Sequence, residues 1–218
     1  MNQVNRFMRN RIKIVDLYLK AKEAIIKEGF AEEVDWQNDI QFSQINESYF
    51  LKEAAWVVLS SGMKESVIRK KFPSVSTAFY YWRSSKRIVK NRKKCRMRAL
   101  MVFRHEQKIN AIINIAKKIS TYGFDSLKIC IRNEGIKFIQ TMPYMGPATS
   151  YHLAKNIGLD VVKPDRHLLR IAAVTGYADP QHLCEDISIS VGDRISVVDL
   201  VIWRYATLNP NYIEYFGV

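Results

Sequence analysis

Asp165 follows Lys163 and Pro164, and it is followed by His167 two residues on and Arg170 three residues after that. A carboxylate placed in this way can stabilise positive charge that develops on a substrate. It can also orient or deprotonate an attacking water. Aspartate after proline is equally a common helix N-cap, and the two roles are compatible. Upstream, residues 139 to 150 read IQTMPYMGPATS. Pro143 stops one helix, Gly146 suits a turn conformation that a side chain would hinder, and Pro147 fits the first position of the next helix. The amides of Ala148 and Thr149 are then left without intrahelical partners at a positive helix end, which is a seat for phosphate. From these residues alone, a phosphate-binding hairpin and an ordinary αα-hairpin are equally good readings.

Charge favours a polyanionic partner. Thirty-four Lys and Arg against 21 Asp and Glu leave a net charge of +13. Thirteen of the cations and one acid, Glu65, fall between Lys64 and Arg98, so this stretch alone carries +12. Ordinary soluble surfaces intersperse the two signs, whereas phosphate neutralisation calls for a concentrated stripe. Nucleic acid is the expected partner. Cys95, Cys130 and Cys184 are too few for a four-thiolate zinc or iron–sulfur site, and His105, His152 and His182 have no companions at ligand spacing. We expect no dedicated side-chain metal site and no cofactor. No apolar run is long enough to span a bilayer, and the basic start reads as a first helix rather than a targeting peptide. The expected setting is cytoplasmic, at the nucleoid in a prokaryote.

The elements that must carry these residues read as helices throughout. Ile12, Val15 and Leu19 recur at helical spacing, with Gly29 as a stop and a less regular stretch around Trp36. A buried helix is expected over 49–61, ended by Gly62, and a shorter one over 63–72, closed by Pro73. Ser74 or Ser76 would cap an aromatic helix holding Phe79, Tyr80, Tyr81 and Trp82. Further helices are expected over 99–120, 126–132 (with Asp125 as N-cap), 136–142, 147–157, 166–175, 180–187 and 193–208. The alternation of half-buried strands is missing, so the fold class is all-α.

The hairpin and the segment after it resemble the helix-hairpin-helix DNA glycosylase superfamily, which includes endonuclease III and the 3-methyladenine glycosylases. The family hairpin runs Leu-Pro-Gly-Val-Gly, two variable positions, then Thr-Ala. Met142, Pro143, Met145, Gly146 and Thr149 match it, with Ser150 at the Ala position. The family's catalytic aspartate lies in Val-Asp-x-His with an Arg three residues beyond, the spacing of Asp165, His167 and Arg170. The resemblance is close over about thirty residues and looser at the Trp56–Met63 helix end. It departs at Tyr144, which stands where the hairpin has its first glycine, and at Ala148, where bifunctional members carry a Schiff-base lysine.

The resemblance implies a two-lobed helical fold with the active site in the cleft between the lobes. One lobe is expected over 49–163, with the basic stripe and hairpin, and the other over 1–48 plus 164–218. It further implies a monofunctional DNA glycosylase, monomeric and free of an iron–sulfur cluster, that acts on double-stranded DNA with Asp165 as its catalytic carboxylate. Tyr144, Gly146, Ala148, Thr149, His167 and Arg170 would contact DNA. A monovalent cation on hairpin carbonyls near Met142 and Met145 is a family feature. The flipped base needs a pocket and the duplex a wedge. Trp36, Tyr49, Trp56 and the cluster from Phe79 to Trp82 are the aromatic candidates, with Glu47 and Glu53 as polar groups and Met63 as the plug. The alternative from another class is a non-catalytic helix-hairpin-helix module that only binds DNA. The intact Asp165 argues against it.

Overall fold

A computed structural model describes the backbone of residues 3–217 and side chains from Arg11 to Gly217. All regular structure among the described residues is helical. In chain order the helices are α1 (Gln3–Ile25), α2 (Ala31–Asp39), α3 (Glu47–Ser60), α4 (Glu65–Ala78), α5 (Ser85–Lys90), α6 (Arg92–Val102) and α7 (Glu106–Tyr122). They continue with α8 (Phe124–Glu134), α9 (Ile136–Gln140), α10 (Pro147–Asn156), α11 (Arg166–Thr175), α12 (Pro180–Val191), α13 (Ile195–Leu208) and α14 (Tyr212–Phe216).

The chain divides into two compact units, residues 41–157 and residues 1–40 with 158–218. These boundaries differ from the sequence expectation of 49 and 163. Residues 41–48 stay with the first unit because Ile45 is buried and Lys128 Nζ holds the carbonyls of Ser43 and Ile45 at 2.9 and 3.2 Å. Residues 158–163 belong to the second, because Val162 joins its core and Arg194 grips the Gly158 carbonyl at 3.0 Å.

In the unit of residues 41–157, α7 is central. Its buried face of Ile109, Ile112, Ile115, Ala116 and Ile119 meets α3, α5, α6 and α8. In the other unit α13 takes that place, packing Val197, Val198, Val201 and Ile202 against α1, α2, α11 and α12. Helix α1 turns Ile14, Tyr18, Ala21 and Ile25 inwards, while Ile12 and Leu19 of the expected stripe are exposed. The sequence is apolar on more than one side here, and spacing alone selects the wrong face.

Four local expectations are corrected. Trp36 lies inside the regular helix α2, not in an irregular stretch. Pro73 does not stop α4 but sits within it, because Phe72, Val75 and Ala78 around it are anchored by packing. Residues 99–120 are two helices, broken at Phe103–His105, with His105 Nδ1 accepting the Lys108 amide. Gly123, not Asp125, occupies the N-cap position of α8.

Candidate functional site

The hairpin forms as α9, a turn and α10. Met142 N donates to Ile139 O at 3.0 Å and Met145 N to Met142 O at 3.2 Å, which folds the turn tightly. Met142 and Met145 are buried and anchor it. The first intrahelical bond of α10 runs from Ser150 N to Gly146 O at 2.9 Å, so Ala148 and Thr149 stand ahead of it in an exposed to half-buried first turn. The Thr149 hydroxyl donates to Tyr144 O at 2.7 Å and ties the turn to the helix.

The glycine logic of this turn is the reverse of the sequence reading. Gly146 has φ −74, which any residue adopts, and Tyr144 takes the left-handed conformation with φ 65. Tyr144 tolerates it because its hydroxyl donates to Gln107 Oε1 at 3.1 Å and its ring meets His105 edge-on. A Cβ at Gly146 would meet only Thr149 Oγ1, at 3.9 Å. Neither conformation nor internal packing requires the glycine. Of the carbonyls near Met142 and Met145, Met142 O accepts Met145 N and the intervening Tyr144 O accepts Thr149 Oγ1.

Asp165 is the N-cap of α11. Its Oδ1 accepts the amides of His167 at 2.9 Å and Leu168 at 3.1 Å. Oδ2 has no partner among the described residues, and the residue is half-exposed. One oxygen fixes the carboxylate, and the other takes no part in the cap. The segment leading to it is pinned by groups that the sequence reading passed over. Asp199, buried, accepts Lys163 N through Oδ2, Asp160 accepts Ser196 N at 2.8 Å, and Arg194 gathers the carbonyls of Gln37, Asn38, Ile40 and Gly158. Their signal was the polar break Gly192–Asp193–Arg194 ahead of an apolar helix, which reads as a mere turn.

His167 and Arg170 face Tyr212 rather than the Asp165 carboxylate. The His167 ring lies edge-on to Tyr212 at 5.1 Å, and Arg170 Nη1 reaches the Tyr212 hydroxyl at 3.4 Å. Burial lowers the His167 pKa, against the opposing charge of Asp165, and its buried Nδ1 has no hydrogen-bond partner.

The base-pocket candidates fall into separate places. Tyr49, Glu53 and Asn156 come together where α3 meets α10. Asn156 Nδ2 donates to Glu53 Oε2 at 2.9 Å, and the Tyr49 hydroxyl donates to Asn156 O at 3.2 Å. Desolvation raises the pKa of buried Glu53, with Lys52 and Asn156 pulling the other way. Trp56 packs edge-on to Phe72 with Arg69 over its ring. Met63 is 41% exposed, after a turn whose Leu59 and Ser61 carbonyls are held by Lys108 Nζ. Trp36 belongs to the other unit. Phe79 and Trp82 are core, stacked on each other, so these two are corrected from pocket candidates to structural residues, and half-buried Glu47 accepts the Ser85 amide through one oxygen.

The basic stripe lies on α4, α5, α6 and their connections. Lys64, Lys70, Lys86, Lys90, Arg92, Lys93, Lys94 and Arg98 are exposed and take no acidic partner among the described residues. Arg69 pairs with Glu65 and Arg96 with Glu106. Among the described residues no cluster of His, Cys, Asp or Glu could hold a metal ion, and no helix is long and apolar enough to cross a membrane. No protein-family model matches the chain, and no curated protein matches it either.

Proposed function

We propose that the chain is a monofunctional DNA N-glycosylase, which flips a damaged, mismatched or modified base out of a duplex and hydrolyses its N-glycosidic bond. The observation that carries this reading is the divided carboxylate of Asp165, with Oδ1 spent on the α11 cap and Oδ2 free. A pure binding module needs the cap alone. As the C1′–N bond breaks, the base leaves with the bonding electrons and takes a proton. Positive charge then develops on the sugar, as in glycoside hydrolysis. Oδ2 stabilises that charge and orients the water whose oxygen adds to C1′.

The hairpin's part is to bind backbone. The Ala148 and Thr149 amides receive a phosphate, and Gly146 lets the strand approach closely, which explains a glycine that the fold itself does not demand. Ala148 carries no amine, so no Schiff base forms and the abasic strand stays whole. Tyr49 and Glu53, which come together where α3 meets α10, are the groups offered to the base, and Met63 the wedge.

The test is release of free base from a panel of modified duplexes, detected by mass spectrometry, with Asp165→Asn as the control. We expect release by the parent chain and none by the variant. Tight duplex binding without release from any substrate would favour the non-catalytic module.

A further inference from the structure

The link between α4 and α5 has three successive non-glycine residues in the left-handed region, Tyr80, Tyr81 and Trp82, with φ of 55, 55 and 62. L-residues enter this region singly and at a cost, and a run of three persists only where its surroundings impose it. The anchors are visible. The Trp82 ring stacks on Phe79 at 5.0 Å and on Phe72 at 5.8 Å, and its Nε1 donates to Ser76 Oγ at 2.9 Å. On the far side Ser84 caps α5, and the Glu47 carboxylate accepts the Ser85 amide.

The turn hides Trp82 and presents tyrosines. Tyr81 is 58% exposed, its hydroxyl has no partner among the described residues, and the Arg83 guanidinium lies 6.0 Å from its ring centre. Tyr80 is half-buried beneath Arg87, at 4.4 Å. Lys86, Lys90 and Arg92 follow, exposed and without acidic partners among the described residues. Packing accounts for Trp82 but gives no reason for an aromatic at Tyr81.

We propose that Tyr81, with Arg83 beside its ring, is a stacking site for an unpaired base of single-stranded nucleic acid, with Lys86, Lys90 and Arg92 on its phosphates. An exposed ring offers a π-face to any base, the Arg83 guanidinium lies beside it, and the cations neutralise the strand. An anionic lipid surface suits this patch less well, because Ile88, the central apolar residue of α5, is buried and leaves no apolar face to insert. The site depends on neither the hairpin nor Asp165.

The test measures anisotropy of a labelled oligothymidylate, and of the same strand in duplex, with the full chain. Tyr81→Ala should weaken single-strand binding about tenfold, while duplex binding changes little and Tyr81→Phe, which keeps the ring, binds as the parent does. A Lys86→Gln, Lys90→Gln double variant should flatten the logarithmic salt dependence of single-strand binding by about 1.4. The proposal is overturned if Tyr81→Ala binds the single strand as the parent does, or loses duplex and single strand equally. It is also overturned if the substitution abolishes only binding to phosphatidylserine vesicles. Base release is a separate readout, so loss of the glycosylase reading would leave this one standing.

Discussion

At Asp165 one oxygen caps α11 and the other is assigned by the proposal to catalysis, and substitutions can separate the two. Asparagine caps a helix about as well as aspartate but carries no charge. Asp165→Asn should therefore keep its melting temperature and duplex affinity and lose base release. Asp165→Ala should in addition lose about 1 kcal/mol of stability, read from urea unfolding. Near-normal single-turnover excision by Asp165→Asn would assign the residue to capping alone. Glu53 makes a prediction of a different kind. Its raised pKa means that the folded chain keeps a proton which the unfolded chain releases. The resulting stability is present in full below the ordinary glutamate range and is lost as pH climbs through the raised value. Glu53→Gln should flatten that decline in urea titrations run across a pH series; an unchanged slope would show that Glu53 does not titrate differently on folding. Asp165 was legible in the sequence because its cap partners are its own next residues. Arg194 and Asp199 were not, since their partners are main-chain groups 36 to 157 positions away, which no local pattern encodes.

Elements were legible where the chain punctuates itself. Pro147 opens α10 and Asp165 opens α11, both where expected, because proline and a capping carboxylate act through neighbouring backbone. The same rule failed at Pro73, where aromatic packing on both sides outweighs the missing amide. It failed again at Tyr80–Trp82, whose left-handed path no propensity favours. The hairpin turn supplies the prediction at this scale. Gly146→Ala should fold with an unchanged melting temperature, since its Cβ meets only one atom, at 3.9 Å. Gly146→Glu should also fold, but should weaken binding to all duplex sequences alike, because a phosphate is displaced and no base is read there. Undiminished binding by folded Gly146→Glu would make the hairpin purely structural.

For the whole molecule, the +13 charge and its concentration on α4 to α6 are, in the proposed reading, the basis of DNA binding. Duplex affinity should fall steeply with salt, with a logarithmic slope of about −5 for six neutralised phosphates; a flat dependence would take the stripe out of the interface. The product should be an unbroken strand carrying an abasic site, cut only after alkali, and borohydride during turnover should trap no protein–DNA adduct. An adduct would overturn the water mechanism and direct attention to Lys163, two residues before Asp165. The division of the chain carries one more consequence, for its synthesis. The unit of residues 41–157 is contiguous, whereas its companion joins the first forty residues to those after 157. On the ribosome, α1 emerges well before α13, yet its inward face of Ile14, Tyr18, Ala21 and Ile25 must wait for that helix. At typical elongation rates that interval is roughly ten to thirty seconds, during which the middle of the chain can already be complete. Helix α1 is therefore the segment that a chaperone would cover, and moving it to follow α13 by permutation should shorten its exposure.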